Sequence, residues 1–313
     1  MKRPSASKAA SSSPQKKGKG DAPPRLGFYD FVAERQAVLQ RRRRGLDASE
    51  WTSDPILAKA RFCNIDRKDD AVTRELLTEL ERPSWKLPQQ VMLAAALRFT
   101  GSRRGEAQRL ARLIDEDVGG GALAAALESN DIKCGVGTYQ MTLNRRQVGS
   151  RIASLGAAVA DRVSEQGAFG DMAEASDFVA EAMTFGARPQ FSANETAKDL
   201  AYVPGVFSED ALSRCRLGPG ARKGLALVRK LDEGLPTDDE EAVKQVCERL
   251  RRTEREGLGE DRLEWMQAID VEQALCEFAK YEAYRSTGIT PMKRFSPATG
   301  TETPAAAKAE AAA

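Results

Sequence analysis

The sequence predicts an all-α protein built as a single helical domain. Apolar residues recur at the three-to-four spacing of a helix face in most segments from Phe28 onward. Capping residues, glycines and prolines separate these segments. The stretch 134–141 is glycine-punctuated and rich in β-forming residues. It is short and lies among helical segments, so a large sheet is not expected. We therefore expect a tail at 1–24, a domain at 25–297 and a tail at 298–313.

The first helix is predicted at 28–44 and ends at Gly45, after four consecutive arginines at 41–44. Such a run is typical of a solvated face or a helix C-terminus. A turn and a short helix follow, because 52–54 are N-cap residues and Pro55 suits a first helical position. An elbow at Asn64 then leads into a longer helix that ends near Leu80.

The remaining segments continue the helical pattern to the end of the domain. Residues 232–241 are predicted as an acidic linker, and the charges of the last two helices mostly as helix surface. Further helices are expected at 89–99, 105–114, 122–128, 147–166, 171–183, 192–201, 221–231, 243–256 and 271–284.

Composition excludes several classes of protein. The 313 residues, 41% of them hydrophobic, are enough to build a core. The sequence has neither a long apolar run nor a secretory signal, so we expect an intracellular protein with no membrane partner. The N-terminal tail contains six basic residues before its first acid. It is either a tether for nucleic acid or nuclear import, giving a nuclear location in a eukaryote, or a solubilising tail.

The absence of histidine limits the chemistry of any active site. It removes Ser-His-Asp and Cys-His mechanisms as well as histidine-bound metals. The five cysteines contain no Cys-x-x-Cys pair, which argues against a zinc site and against a disulfide framework. Catalysis would depend on carboxylates, Lys, Arg, Tyr, Cys or a bound ion.

The segment 218–225, Gly-Pro-Gly-Ala-Arg-Lys-Gly-Leu, is the strongest local signal for a ligand. Its glycines permit a close approach of the backbone, and Arg222 and Lys223 supply two adjacent cations for an anion. The alternative is a loop that simply enters a helix.

Five blocks together resemble the alpha-glutamyl/putrescinyl thymine pyrophosphorylase family, which shares its helical domain with the 5-hydroxymethyluracil DNA kinases. The family pattern aromatic-x-x-Phe-x-x-Glu-Arg is similar to residues 28–35, and Trp-Thr-x-Asp-Pro-Ile-Leu to 51–57. Arg-Phe-x-Asn-x-x-Arg-x-x-Asp is similar to 61–70, and Gly-Pro-Gly-Ala-Arg-Arg-Gly-Leu to 218–225. Residues 275–281 resemble the closing helix of the family.

The chain also departs from the family pattern. Gln36 stands where the family has histidine, the Thr-Gly-Ala-Tyr element survives only as 136–139, and a hairpin-like segment is reduced to 185–191. The motif Gly-x-x-x-x-Gly-Lys-[Ser/Thr] is absent. We therefore expect that this chain is not a complete P-loop kinase.

The resemblance implies a fold akin to the helix-hairpin-helix DNA glycosylases and a substrate of DNA containing 5-modified thymine. A small amine or amino acid would replace pyrophosphate on the base, with a separate DNA kinase as a further partner. It implies catalytic roles for Glu34, Asp70 and Asp199, of which Glu34 or Asp199 would hold the incoming ammonium or accept its proton. Asp70 would either pair with an arginine or hold Mg²⁺ carrying the pyrophosphate, and no other cofactor or metal is expected.

The resemblance also implies a set of phosphate- or DNA-binding residues. Asn64 would read a base edge, and Trp51 and Tyr139 would stack on an extruded base unless they are core residues. The carboxylates have an alternative too, as buried ion pairs such as Glu34–Arg67 or Asp70–Arg61. The implied binding residues are Arg35, Arg61, Asn64, Arg67, Tyr139, Gly218, Gly220, Arg222, Lys223 and Lys280.

Two functional hypotheses follow. The first is an enzyme of thymine hypermodification, either a transferase or pyrophosphorylase or a glycosylase-like relative. The second is a non-catalytic helical module that binds modified bases or assists a separate kinase. Both predict DNA binding that weakens with salt.

Overall fold

The computed structural model describes residues 26–100, 105–129, 131–132, 145–184, 190–252 and 263–288. This part of the chain is helical and contains no named strand; its one β-bridge joins Phe169 to Phe207. The predicted all-α class is therefore confirmed. The α-helices are α1 (Phe28–Arg43), α2 (Ala71–Leu80), α3 (Leu87–Thr100), α4 (Glu106–Glu116), α5 (Gly121–Glu128), α6 (Arg145–Gln166), α7 (Met172–Ala182), α8 (Gln190–Leu200), α9 (Pro219–Leu231), α10 (Asp239–Arg251) and α11 (Ala268–Thr287).

Local signals set several of these boundaries. Gly45, with φ of +77°, follows the end of α1, in a conformation that favours glycine. Asp171 caps α7 by accepting a hydrogen bond from the backbone N–H of Glu174 at 2.8 Å. Pro219 stands at the start of α9, where its missing N–H costs no helical hydrogen bond.

The predicted acidic linker is partly wrong. Residues 239–241 form the first turn of α10, and Asp238 caps that helix by accepting a hydrogen bond from the N–H of Glu241 at 2.8 Å. Carboxylates at a helix N-terminus are stabilised by the helix dipole, so this acidic run favours a helix start.

Helix α11 packs against both α1 and α9. Phe28 and Phe31 of α1 contact Phe278 of α11, with ring centroids 5.4 and 5.6 Å apart. Helix α9 lies along α11, while α3 packs on both α6 and α8. Buried apolar side chains from all eleven helices join one core. No helix among the described residues is long and apolar enough to cross a membrane.

Candidate functional site

A charged cluster lies inside the protein, where α3 and α8 meet the elbow before α2. Asp199 is fully buried, and its carboxylate accepts hydrogen bonds from two guanidinium groups. The Nη2 atoms of Arg67 and Arg98 each lie 2.8 Å from its Oδ1 atom, and Nε of Arg98 lies 2.5 Å from Oδ2. Arg67 is only 3% exposed. These three residues, together with Lys198, Glu195 and Glu272, form the cluster that we call the buried ionic centre.

The buried ionic centre extends through Lys198 to the start of α9. Nζ of Lys198 binds Glu195 at 2.7 Å and Glu272 at 2.6 Å, and Glu195 also pairs with Arg67 at 3.0 Å. The second carboxylate oxygen of Glu272 accepts a hydrogen bond from the backbone N–H of Gly218 at 3.1 Å. A protein carboxylate therefore already occupies part of the N-terminus of α9.

The charges inside this centre stabilise one another. Burial alone would lower the pKa of Lys198, but Glu195 and Glu272 outweigh it and raise the pKa above its ordinary value. Burial likewise opposes ionisation of Glu195, yet Lys198 and Arg67 hold its pKa well below its ordinary value. These groups are therefore charged at neutral pH.

The elbow at 61–70 connects the centre to α11. The side-chain amide of Asn64 donates to the carbonyl of Asp69 at 2.9 Å, and the carbonyl of Asn64 accepts from Gln273 at 2.6 Å. Asp70 faces the backbone N–H of Asn64 and the amide of Gln273, each at 3.4 Å. Burial raises the pKa of Asp70 to about 6, although Arg67 opposes that shift.

Asp270 lies below this elbow at the start of α11. Its carboxylate accepts hydrogen bonds from the backbone N–H groups of Arg67, at 3.1 Å, and Gln267, at 2.9 Å. Burial raises its pKa to about 6 against these hydrogen bonds. Asp270, Glu272 and Glu277 are all under 9% exposed. Glu272 and Glu277 are therefore exceptions to the prediction that the charges of 271–284 lie mostly on the helix surface.

The other predicted cations of this region differ in exposure. Arg35 is buried, donates to the carbonyl of Cys63 at 3.0 Å, and has its pKa lowered to about 10 by burial. Arg61 is exposed. Lys280 is half-exposed and lies 2.5 Å from Glu277, which outweighs the effect of burial and raises the pKa of Lys280.

Glycines in the segment 218–225 allow α9 and α11 to approach closely. A Cβ atom on Gly220 would lie 2.5 Å from Sγ of Cys276, and one on Gly224 would overlap the backbone of Leu275. These contacts give the glycines a packing role. In contrast, the side chain of Arg222 is 64% exposed, with its Nε atom 3.9 Å from Asp239, and Lys223 is exposed.

An open cleft of about 550 Å³ lies between α1 and the segment before the elbow. Arg41 donates through Nη1 to Glu34 at 2.9 Å and to the carbonyl of Trp51 at 2.5 Å. Arg42 lies over the ring of Trp51, 5.2 Å from its centroid. The cleft is lined by Leu26, Glu34, Arg41, Ser49, Glu50, Thr52, Ser53 and Asp54.

The structure separates the predicted site residues into two groups. Asp199 and Arg67 lie in the buried ionic centre, whereas Glu34 lies in the open cleft. Neither of the alternative ion pairs forms: Glu34 pairs with Arg41, and Arg67 with Glu195 and Asp199. Arg61 is exposed and makes no ion pair with Asp70 in the described part of the chain. Tyr139 lies outside the described residues.

Sequence analysis did not identify Arg98, Lys198, Glu195 or Glu272. Arg98 had a detectable signal, since it is the one charged residue of α3, whose other side chains are mostly apolar. Lys198 and Glu195 have the i, i+3 spacing of a helical ion pair, but nothing local distinguishes a buried pair from an exposed one. Within the described residues no group of three or more acidic or cysteine side chains is arranged to hold a metal ion.

Fold and site together define a helical protein with a charged interior and an open polar cleft. The model of one family, the helical domain of the 5-hmdU (5-hydroxymethyl-deoxyuridine) DNA kinase, matches residues 25–98 and 137–289. The chain therefore belongs to this family. The unmatched segment between these ranges contains α4 and α5. No curated protein matches the chain, and no solved structure does.

Proposed function

We propose that this protein is an enzyme of thymine hypermodification that acts on DNA. It transfers an amine or an amino acid to a pyrophosphorylated 5-hydroxymethyluracil base, as a thymine pyrophosphorylase would. The bond between the 5-methylene carbon and the pyrophosphate oxygen breaks, and pyrophosphate leaves with the electron pair. The amine nitrogen bonds to the same carbon and loses one proton to a base.

The family supports the substrate, because its name describes a kinase of 5-hmdU in DNA. A kinase and a transferase of this kind share the task of binding a modified base whose 5-methylene oxygen carries phosphate. The protein's contribution to the transfer would be to bind the leaving phosphates and to orient the amine.

One juxtaposition carries the proposal. Glu34 lies on the same helix as Arg41, Arg42 and Arg43, with Arg44 at the C-terminal end of that helix, and Glu34 and Arg41 both line the open cleft. A carboxylate that would accept a proton from an ammonium group thus lies on the helix that ends at Arg43 and Arg44, two exposed cations that would bind phosphate. The sequence-predicted base Asp199 has no such access, since it is fully buried between two arginines.

Exposed cations near the C-terminal end of α1 support DNA binding. Arg43 pairs with Asp69, which brings the C-terminal end of α1 to the elbow. Glu277 binds both Lys280 and the backbone N–H of Cys63, so Lys280 lies in space beside the elbow, close to Cys63. Arg44, Arg61 and Lys68 are exposed around this region. Such side chains would contact the DNA backbone, with Arg222 and Lys223 as a further phosphate clamp on α9.

The test uses DNA that carries 5-hydroxymethyluracil or its pyrophosphorylated form. Purified protein is incubated with this DNA and a panel of amines, with and without Mg²⁺. The DNA is then digested to nucleosides for mass spectrometry. We expect a new aminated nucleoside from the pyrophosphorylated DNA, together with released pyrophosphate. If the nucleosides stay unchanged with every amine of the panel, the proposed transferase activity is rejected.

A non-catalytic DNA-binding module is the second function, and the buried ionic centre favours it. Arg67 and Asp199 are buried, and the charged groups of both are paired within the protein. Tight, salt-sensitive binding to the modified DNA without any change of the base would support this module. Stimulation of a separate 5-hydroxymethyluracil DNA kinase would then identify its role.

A further inference from the structure

The open cleft contains hydrogen-bonding groups that the protein itself leaves unused. The Oε1 atom of Glu34 accepts from Arg41, and the Oε2 atom of Glu50 accepts from the backbone N–H of Asp47 at 3.1 Å. The second oxygen of each carboxylate has no hydrogen bond within the described part of the chain. Arg41 uses only Nη1, so its other N–H groups are available as well.

Asp54 shows how a saturated carboxylate differs from these groups. Its Oδ1 atom accepts hydrogen bonds from the backbone N–H groups of Ile56 and Leu57, both at 2.8 Å. Its Oδ2 atom accepts from the hydroxyl of Tyr281 at 2.7 Å. Asp54 therefore fixes the wall of the cleft to α11, and the ligand-binding capacity is left to Glu34, Glu50 and Arg41.

The lining combines both signs of charge with hydroxyl groups. Glu34 and Glu50 provide acceptors for an ammonium group, while Arg41 provides donors for a carboxylate. Ser49 and Ser53 also face the cleft. An α-amino acid carries an ammonium and a carboxylate on one carbon, so it matches both signs. A diamine would match the two carboxylates but would offer no acceptor to the unused N–H groups of Arg41.

We propose that this cleft is the binding site of a free α-amino acid, held through its ammonium group by Glu34 and Glu50 and through its carboxylate by Arg41. The inference rests on the proposed function, in which this amino acid is the incoming amine. Because Glu34 also binds Arg41, it both orients the guanidinium group and contacts the ligand. The volume of about 550 Å³ leaves room for a side chain or for the neighbouring base.

Binding to the whole protein without DNA tests the site independently of any chemistry. Glycine, L-glutamate and putrescine are titrated into the wild type and into Glu34→Gln and Arg41→Gln by calorimetry. We expect both amino acids to bind more tightly than putrescine. Each substitution should weaken amino-acid binding about tenfold or more, because a charge-assisted hydrogen bond is lost.

Glu174→Gln is the matched control, since Glu174 is also paired with an arginine, Arg162, at 2.6 Å, but lies on α7 outside the cleft. It should leave amino-acid binding unchanged. All variants should retain a melting temperature near wild type, because the pairs that they remove are partly exposed.

The possible outcomes distinguish a failure of the proposed binding site from a failure of the proposed transfer reaction. Amino-acid binding that depends on Glu34 and Arg41 supports the site, even when no transfer to DNA is found. Putrescine binding more tightly than both amino acids overturns the inference, as does equal amino-acid binding by the wild type and Glu34→Gln. Transfer of an amino acid to DNA by Glu34→Gln with an unchanged KM overturns the site and leaves the proposed reaction standing.

Discussion

The buried ionic centre and the open cleft use the same residue types in opposite ways. In the centre, Asp199 is fully buried and has two guanidinium groups on its two oxygens. In the cleft, Glu34 is 27% exposed in its side chain and has one arginine partner. The first carboxylate has no capacity left for a ligand, whereas the second retains one free oxygen that faces an open volume.

This difference shows that residue type alone does not identify a site. A buried ion pair needs all its hydrogen bonds made within the protein, because the desolvation of each charge must be compensated. A binding residue needs the reverse, which is unused hydrogen-bonding capacity that a ligand can reach. Arg67 and Arg41 illustrate the two cases: Arg67 is surrounded by Glu195, Asp199 and Gln273, while Arg41 borders the cleft.

Removing the central carboxylate should have the largest effect on stability. Asp199→Ala leaves two buried guanidinium groups without their main partner, so the free energy of unfolding should fall by about 3–5 kcal/mol. Urea unfolding followed by circular dichroism measures this. Asp177→Ala is the matched control, since Asp177 also binds one arginine, Arg216, through two hydrogen bonds of 2.8 Å but is 42% exposed. It should cost no more than about 1 kcal/mol, and equal losses would contradict the contrast between buried and exposed pairs.

Most helices could be predicted because their signals are local. The predicted stop of the first helix at Gly45 depends on residues a few positions apart. The short helix predicted after Pro55 is wrong, because Asp54 accepts the hydrogen bonds of a turn there. The predicted helix at 89–99 corresponds to α3, Leu87–Thr100, and that at 147–166 to α6, Arg145–Gln166. Other errors, such as the acidic linker that contains the start of α10, lie at helix ends, where caps and linkers use the same residue types.

The arrangement of the site could not be predicted in the same way. Arg67 binds Glu195 and Asp199, which are 128 and 132 positions away in the sequence. Such pairs depend on how helices pack, and the sequence pattern of each helix alone does not specify it. Glu272 illustrates the same limit, since its position on a charged amphipathic helix gave no sign that it would bind Lys198 and Gly218.

The packing role of the glycines gives the second prediction. In Gly224→Ala the new methyl group would overlap the backbone of α11 at Leu275, which cannot rotate away as a side chain would. We expect a loss of about 1–3 kcal/mol, because α9 must move from α11. Gly170→Ala is the control, since a Cβ atom there has nothing within 4 Å. A stable Gly224→Ala protein with weakened DNA binding would instead favour a ligand-binding role for this glycine.

The third prediction concerns the pH dependence of stability through Asp70. Its folded-state pKa of about 6 is above its ordinary value of 3.8, so the folded protein binds more protons than the unfolded chain between these values. This residue therefore makes the protein less stable as pH rises from about 4 to 6. Asp70→Asn removes that effect, so its stability relative to wild type should improve by on the order of 1 kcal/mol between pH 4 and pH 7.

Urea unfolding at a series of pH values measures this difference. Asp161→Asn serves as the control, because Asp161 is exposed on α6. The stability of this variant relative to wild type should not change between pH 4 and pH 7. A relative stability of Asp70→Asn that stays constant from pH 4 to pH 7 would show that Asp70 ionises as it does in the unfolded chain.

The two cations of α9 should have the smallest effect on stability and a clear effect on DNA. Arg222 is 64% exposed and has only a distant carboxylate at 3.9 Å, and Lys223 is exposed. The double variant Arg222→Ala with Lys223→Ala should therefore melt near wild type. If both side chains contact phosphates, the slope of log affinity against log salt should become shallower by about 2, since each contact contributes about 0.9.

A matched pair separates this effect from a general loss of positive charge. Arg109 and Arg112 are exposed on α4, which lies outside the residues that the family model matches. Replacing both with alanine removes the same charge and should leave the salt dependence of DNA binding unchanged. Equal slopes for the two double variants would mean that α9 holds no phosphate. The glycines of 218–225 would then serve the packing of α9 on α11 alone.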